Sequence, residues 1–341
     1  MNQDFHFQDQ LSDFFADYQR KIKALMLARD KYLLTFLKDP LARLLINCLR
    51  LSPLKSVLAA ALITAATYSV GYIIHFTYNV EVAGITKTFW DFVYDIILVP
   101  LTVGFYTWIS ARSSYIFYQL DLSGIVIDAD DYTHAVTEVS RNMLNNSLIF
   151  IFSCCAAVCM AALTIYNAAR GSTVWGPREA NYTIFFFIKV PVIWMIPWYM
   201  VCVIYLRELM LVVSIRRIID ANKLDVSKYH KDRCAKLKPI TAHLRRFNYY
   251  LAACGAGFIF LVARSLHYGY FVNDVIVNSC LVVYVLISCF FFYFPLYRVN
   301  KSVASYEGKS FGESAWVWGR GLALEHALCT IACVVLIHAM R

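Results

Sequence analysis

Charge is scarce in this sequence: Asp, Glu, Lys and Arg make up 16% of the 341 residues, against 60% that are hydrophobic. An ordinary soluble domain needs more polar surface than that, so the apolar surface is for lipid. Enzyme signatures are lacking as well. The chain has no His-Glu-x-x-His, no Gly-x-Ser-x-Gly, no phosphate-cradling glycine loop and no paired intramembrane aspartates in a protease context. Neither an enzyme nor a cofactor is expected. The first fifty residues hold no uninterrupted apolar core of the kind a signal peptide needs. No internal repeat of the sort that marks many secondary transporters is visible.

Cysteine is missing from the segments assigned below to the outer side. Of the eleven, Cys154, Cys155, Cys159, Cys202, Cys254, Cys280, Cys289, Cys329 and Cys333 fall in apolar segments, and Cys48 and Cys234 in polar, basic ones. They read as small apolar fillers rather than as a disulfide framework. His230 and Cys234 stand at i, i+4, but two ligands make no zinc site, so no metal is expected.

What the chain has in abundance is apolar segments of spanning length. Seven lie near 55–78, 89–118, 147–168, 184–206, 247–266, 274–297 and 322–340. Crossing about 30 Å of hydrocarbon takes roughly 20 helical residues. The expected fold is therefore an all-α polytopic membrane protein with seven transmembrane helices, in which Glu325 and His326 interrupt the first turns of the last. Residues 1–50 read as a cytoplasmic amphipathic helix, with Phe7, Leu11, Phe14, Tyr18, Ile22, Leu25, Leu33 and Phe36 recurring mostly at spacings of three and four. Residues 51–341 then form the seven-helix domain, with cytoplasmic extensions at 207–246 and 299–321. The second extension sets Phe311, Trp316 and Trp318 among Gly308, Gly312, Gly319 and Gly321.

Orientation follows from the cations. Eleven of the 32 Lys and Arg residues lie between Arg207 and Arg246, flanked on both sides by apolar runs. Such a connection belongs on the cytoplasmic side, because Lys and Arg resist translocation. With the N-terminus inside, the inner segments collect 26 Lys and Arg and the outer ones five, with Lys189 inside a span. That places the N-terminus in the cytoplasm and the C-terminus outside, in a multi-pass protein of the plasma membrane. The net charge of +9 concentrates beside the spans, which points to membrane lipids rather than nucleic acid as the partner.

Polar residues near the outer ends of the spans are the candidate ligand site. Asp91 and Asp95 are one turn apart and share a helix face, with His75 at the outer end of the preceding span. They are either solvated at headgroup depth or part of a proton or cation site. Lys189 lies about a turn into the fourth span, where it either snorkels outward or pairs with an Asp or an anionic ligand. Pro191 and Pro197 break that span and free backbone carbonyls. Phe185, Phe186, Phe187, Trp194 and Trp198, with Trp90 and Tyr94 across the loop, supply either an interfacial belt or the wall of a pocket. The pocket reading predicts a small-molecule cavity bounded by Tyr94, Asp95, Phe187, Lys189 and Trp194.

The inverted seven-span order, the N-terminal cytoplasmic helix, the basic connection after the fourth span and a chain that stops as the seventh span emerges together resemble the insect gustatory and odorant receptor superfamily and its gustatory-receptor-like relatives. The gustatory family ends in a Thr-Tyr pair, about five apolar residues, then Gln-Phe. The comparable stretch here reads Ile331-Ala332-Cys333-Val334-Val335-Leu336-Ile337-His338-Ala339: the apolar run is kept, His338 stands at the Gln position, Ala339 replaces Phe, and the Thr-Tyr pair is missing. The resemblance implies a homotetrameric ligand-gated cation channel whose last helix lines the pore, with Val335 forming an apolar ring and His338 a titratable one at the outer mouth. Ile331 shares their face at helical spacing, as do Leu324 and Leu328.

Two other readings stay open. A secondary transporter would use Asp91, Asp95 or Lys189 for coupling. A membrane scaffold would hold a partner on its basic cytoplasmic surface. All three share the topology, which tags on each terminus of the chain in intact cells will test: the N-terminal tag should be reached only after permeabilisation and the C-terminal tag before it. The reverse pattern would overturn the orientation drawn from the cations.

Overall fold

The computed structural model describes residues 38–78, 85–123, 125–139, 146–169, 189–221, 224, 238–267, 278–279, 281–290, 292–294, 297 and 320–339. The N-terminal stripe, Phe187, Trp316 and Trp318 lie outside these residues. Among the described residues helix accounts for 93% and strand for none, so the fold is all-α. The only β pairing among the described residues is the bridge between Val126 and Leu224.

The first described element, α1, starts at Pro40–Ala42 and widens into π-turns over Arg43–Cys48. Asp39 begins it: its Oδ1 accepts from the backbone N–H of Leu41 at 3.1 Å and of Ala42 at 3.2 Å. Pro40 occupies the first position, where no N–H is needed. Arg50, with φ 49°, turns the chain through the left-handed region toward α2, Pro53–Tyr78. The α3 helix, Ile85–Leu122, is 38 residues long and so about 57 Å. It is the centre of the fold, packed against α2 and against the helices at Ile196–Asp220 and Lys238–His267. A short amphipathic helix, α4 (Ala129–Val139), folds back on its end, capped by Asp128 and held where the Tyr132 hydroxyl donates to the Phe117 carbonyl at 2.8 Å.

Beyond it come α5 (Ser147–Ala169), α6 (π-turns at Val190–Met195, then Ile196–Asp220), α7 (Lys238–His267), α8 (Leu281–Phe294) and α9 (Arg320–Ala339). Three helices among the described residues are long and apolar enough to cross a membrane: Pro53–Ile73, Phe92–Ala111 and Val190–Asp220. Burial ranks them. Only 28% of the α2 window is covered against 56% of the α6 window, so α2 lies at the periphery and α6 inside. The large apolar side chains left exposed on α2 (Leu54, Leu58, Leu62) and α5 (Leu148, Ile151, Phe152) suit a hydrocarbon solvent and not water. The chain is a membrane protein. Some hydroxyls inside it are satisfied by the preceding turn, as Thr67 by the Ile63 carbonyl and Thr107 by the Val103 carbonyl.

Both α3 and α6 outrun the hydrocarbon. Thirty-one residues from Val190 to Asp220 span about 46 Å, and the last turns of α6, the end of α3 and α4 pack together around Phe117, Ile125, Tyr132 and Ile219. The expected basic connection thus begins as uninterrupted helix, and its first residue, Arg207, is a buried intrahelical side chain rather than a solvated charge.

Where two helices meet in lipid, small residues let the backbones approach. A Cβ on Gly104 would overlap Val57 Cγ2 across the α2–α3 contact, and one on Gly255 would lie 2.8 Å from Cys333 Sγ across α7–α9. Gly104→Val should therefore destabilise the purified protein by about 1–3 kcal/mol, read as thermal unfolding, with Val57→Ala recovering part of the loss. A Gly104→Val chain as stable as its parent would show that the two helices do not meet here.

Candidate functional site

Polar side chains inside the bundle gather at opposite ends of the α3–α6 pair. At one end Asp95, 7% exposed, accepts from the Tyr68 hydroxyl at 2.5 Å. Lys189, 6% exposed, stands within electrostatic reach of Asp95, and its Nζ lies 5.2 Å from the Tyr68 ring centroid. Phe92 closes edge-on against the same ring at 5.3 Å. The π-turns that follow Lys189, with Pro191 among them, set the side chain inward. Lys189 is thus buried beside an acid instead of snorkelling, and Asp95 is not a solvated headgroup-level residue.

The remaining residues of the expected cavity are placed differently. Tyr94 faces α7, where it stacks on Phe260 at 5.9 Å. Trp194 points out of the bundle at 37% exposure, as does Trp198 at 40%, in the manner of interfacial aromatics. Phe187 is outside the described residues, as are the side chains of Asp91 and His75. Of the five, Asp95 and Lys189 come together, and Tyr68, from α2, joins them.

About 27 Å along α6, at the other end, lies the most connected polar group. Arg207 and Asp39 are 1% and 0% exposed and form an ion pair at 2.9 Å. Asp39 Oδ2 also accepts from the Tyr106 hydroxyl at 2.7 Å, and Oδ1 from the Tyr199 hydroxyl at 3.0 Å. Counting the two backbone donors of α1, the carboxylate accepts from five groups. Arg207 Nη1 donates to Ser110 Oγ at 2.5 Å, and the guanidinium lies over the Phe150 ring at 5.5 Å. Helices α1, α3, α5 and α6 all meet there.

No family model, no curated protein and no solved structure matches this chain. What the site can do must come from its own groups. Next to Arg207 on α6, Glu208 faces α7, where His243 Nε2 lies 2.7 Å from its Oε2. Trp108 stacks on His243 at 5.0 Å and takes the Arg246 guanidinium at 5.7 Å. Oε1 of Glu208 has no hydrogen-bond partner, and a cavity of about 10 Å³, room for roughly one water, opens among Glu208, His243, Ile116, Leu211 and Ile240. This cavity lies at the opposite end of α6 from the expected pocket. Among the described residues no group of three or more His, Cys, Asp or Glu could hold a metal ion.

A further polar group sits on α9. His326, 1% exposed, has Nδ1 2.6 Å from Asn248 Oδ1 on α7, and Nε2 within 3.3 Å of Ser288 and 3.4 Å of Thr330. Phe292 stacks on the imidazole at 4.2 Å. The residues named from sequence for the pore take the other side of the same helix: Ile331 and Val335 are 58% and 57% exposed, and His338 is exposed too.

The Arg207–Asp39 ion pair has a measurable signature. Removing one partner strands a buried charge, which costs about 3–5 kcal/mol, whereas replacing both with apolar groups of similar size is often neutral. Asp39→Leu and Arg207→Met should each lower thermal stability sharply, the double variant should be more stable than either, and Arg216→Gln at the exposed Arg216–Asp220 pair should change little. Additive losses in the double variant would mean that the two residues do not pair.

Proposed function

We propose that this chain is one subunit of a homotetrameric, ligand-gated cation channel of the plasma membrane, laid out like the gustatory-receptor-like proteins. It has seven spans, a cytoplasmic N-terminus and an outer C-terminus, and the last helix, α9, lines the pore. The observation that carries this reading is the two-faced character of α9. One face, Ala323, His326, Thr330, Cys333 and Ile337, is buried, and its His326 is fastened to Asn248 of α7 and Ser288 of α8. The other, Leu324, Leu328, Ile331 and Val335 with His338 beyond them, is open. A helix held firmly from behind can present an apolar stripe to three copies of itself around an axis. A narrow apolar tube of that kind excludes water when closed. The ligand enters the outer half of the bundle, where Asp95 and Lys189 supply a negative and a positive group beside Tyr68 and Phe92.

A proton- or ion-coupled transporter is the second reading, favoured by the burial of Asp95 beside Lys189, since buried charges within spans mark ion pathways. The two differ in subunit number and in what α9 does. Replacing Val335 with Asn should wet the constriction and give constitutive cation current in a tetramer. A permanently charged ring, His338→Arg, should repel cations and lower that current. A Val335→Asn tetramer at the cell surface that carries no current would exclude α9 as the pore. A monomer whose flux depends on Asp95 would favour the transporter.

A further inference from the structure

The segment that joins the buried Asp39 to the first spanning helix carries a row of cations that no described residue answers. Arg43, Arg50 and Lys55 are exposed, and none of the three makes an ion pair or hydrogen bond through its side chain among the described residues. Cations elsewhere are mostly engaged: Arg207 with Asp39, Arg216 with Asp220, Arg245 with Glu325, and Arg246 on Trp108. The one acid of the segment, Asp39, is fully enclosed, and no Asp or Glu occurs between Pro40 and Val80. Three positive charges in thirteen residues are therefore uncompensated among the described residues.

Their setting identifies what compensates them. Ala42 is completely buried, and Leu41, Leu45 and Ile46 pack on the core, so one side of α1 is glued to the bundle. The outward side alternates the cations with exposed leucines: Leu44 at 47%, Leu49 at 54% and Leu54 at 70%. Lys55 already belongs to α2, whose spanning window starts at Pro53. The row thus lies where hydrocarbon gives way to headgroups. Apolar side chains that point outward there meet acyl chains, and the cations between them meet phosphate.

We propose that Arg43, Arg50 and Lys55, with Leu44, Leu49 and Leu54 between them, form a docking surface for an anionic phospholipid. The guanidinium groups take the phosphodiester through forked hydrogen bonds, which ammonium groups make less well. The leucines hold the upper acyl chain. Since Asp39 ties the same segment to α3 and α6, a lipid seated here braces the entrance to α2 against the bundle.

The full chain, reconstituted into nanodiscs of equimolar phosphatidylcholine and phosphatidylserine and then re-extracted, will test this through the ratio of the two lipids that remain bound. Each cation near an anionic surface contributes about a fivefold preference, so Arg43→Gln/Arg50→Gln/Lys55→Gln should lower the ratio by at least about tenfold, and Arg216→Gln should leave it alone. If the triple variant does not fold, the single variants and the wild type in about 1 M salt decide, since charges are then screened beyond roughly 3 Å. A wild-type protein that keeps both lipids equally, variant ratios within about twofold of wild type, or retention unmoved by salt would overturn the proposal. In those cases the row serves a water-soluble acidic partner or none.

Discussion

The constraint on which the bundle depends is that Arg207 cannot sit where it does without Asp39. An unpaired guanidinium that is 1% exposed would cost several kcal/mol. Coulomb attraction alone does not return that, because the carboxylate is also stripped of water. The balance is met by hydrogen bonding: two backbone donors from α1 and two tyrosine hydroxyls occupy the carboxylate, while Ser110 and the face of Phe150 attend the guanidinium. The pair therefore specifies an arrangement more than it adds to stability. Four helices must arrive in one register for it to be satisfied at all.

Once that register is set, neighbouring features follow. Arg207 and Glu208 are consecutive on α6 and so point about 100° apart. Fixing Arg207 toward α3 and α1 turns Glu208 toward α7, where His243 waits with Trp108 behind it. Tyr106, Trp108 and Ser110 of α3 likewise divide between the two sides, toward Asp39, His243 and Arg207 in turn. The polar residues at this end of α6 form one connected seam from α1 through α6 to α7. Lipid offers no hydrophobic drive to bring helices together, and this seam, with the close approaches at Gly104 and Gly255, supplies the specificity that burial supplies in water.

Much of the helical layout was legible in the sequence, because an apolar run of spanning length is stable in few settings besides a bilayer. The limits of α2, α5 and α9 fall within a few residues of those read from hydropathy. The partners of the polar residues were harder to read. Asp39 reaches Tyr199 and Arg207 across 160 and 168 positions, and nothing local announces a contact that distant. One cue was present: Asp39-Pro40 is a helix start, and an acid placed there is at least tied to the backbone. Arg207 misled for a physical reason. Cations at the end of an apolar run report the side on which the run stops, and that statistic says nothing about whether a particular guanidinium is solvated. Lys189 was ambiguous on the same ground, since a long stem permits either snorkelling or pairing, and only the position of Asp95 on a different helix decides between them.

The two faces of α9 show how far the fold bears on function. Polar contacts between helices in lipid contribute little individually, on average about 0.6 kcal/mol, so a helix needing only to be retained in the bundle could do without His326. Placing an imidazole at 1% exposure between Asn248, Ser288, Thr330 and Phe292 fixes something more specific, namely the rotation of α9 about its own axis. Rotation matters little to a helix whose outer face meets lipid, because one apolar stripe is as good as another. It matters greatly to a helix whose outer face meets copies of itself around water, where a turn of about 100° exchanges one ring of side chains for another. The precision of the hidden face of α9 therefore favours a partner other than lipid for the open face.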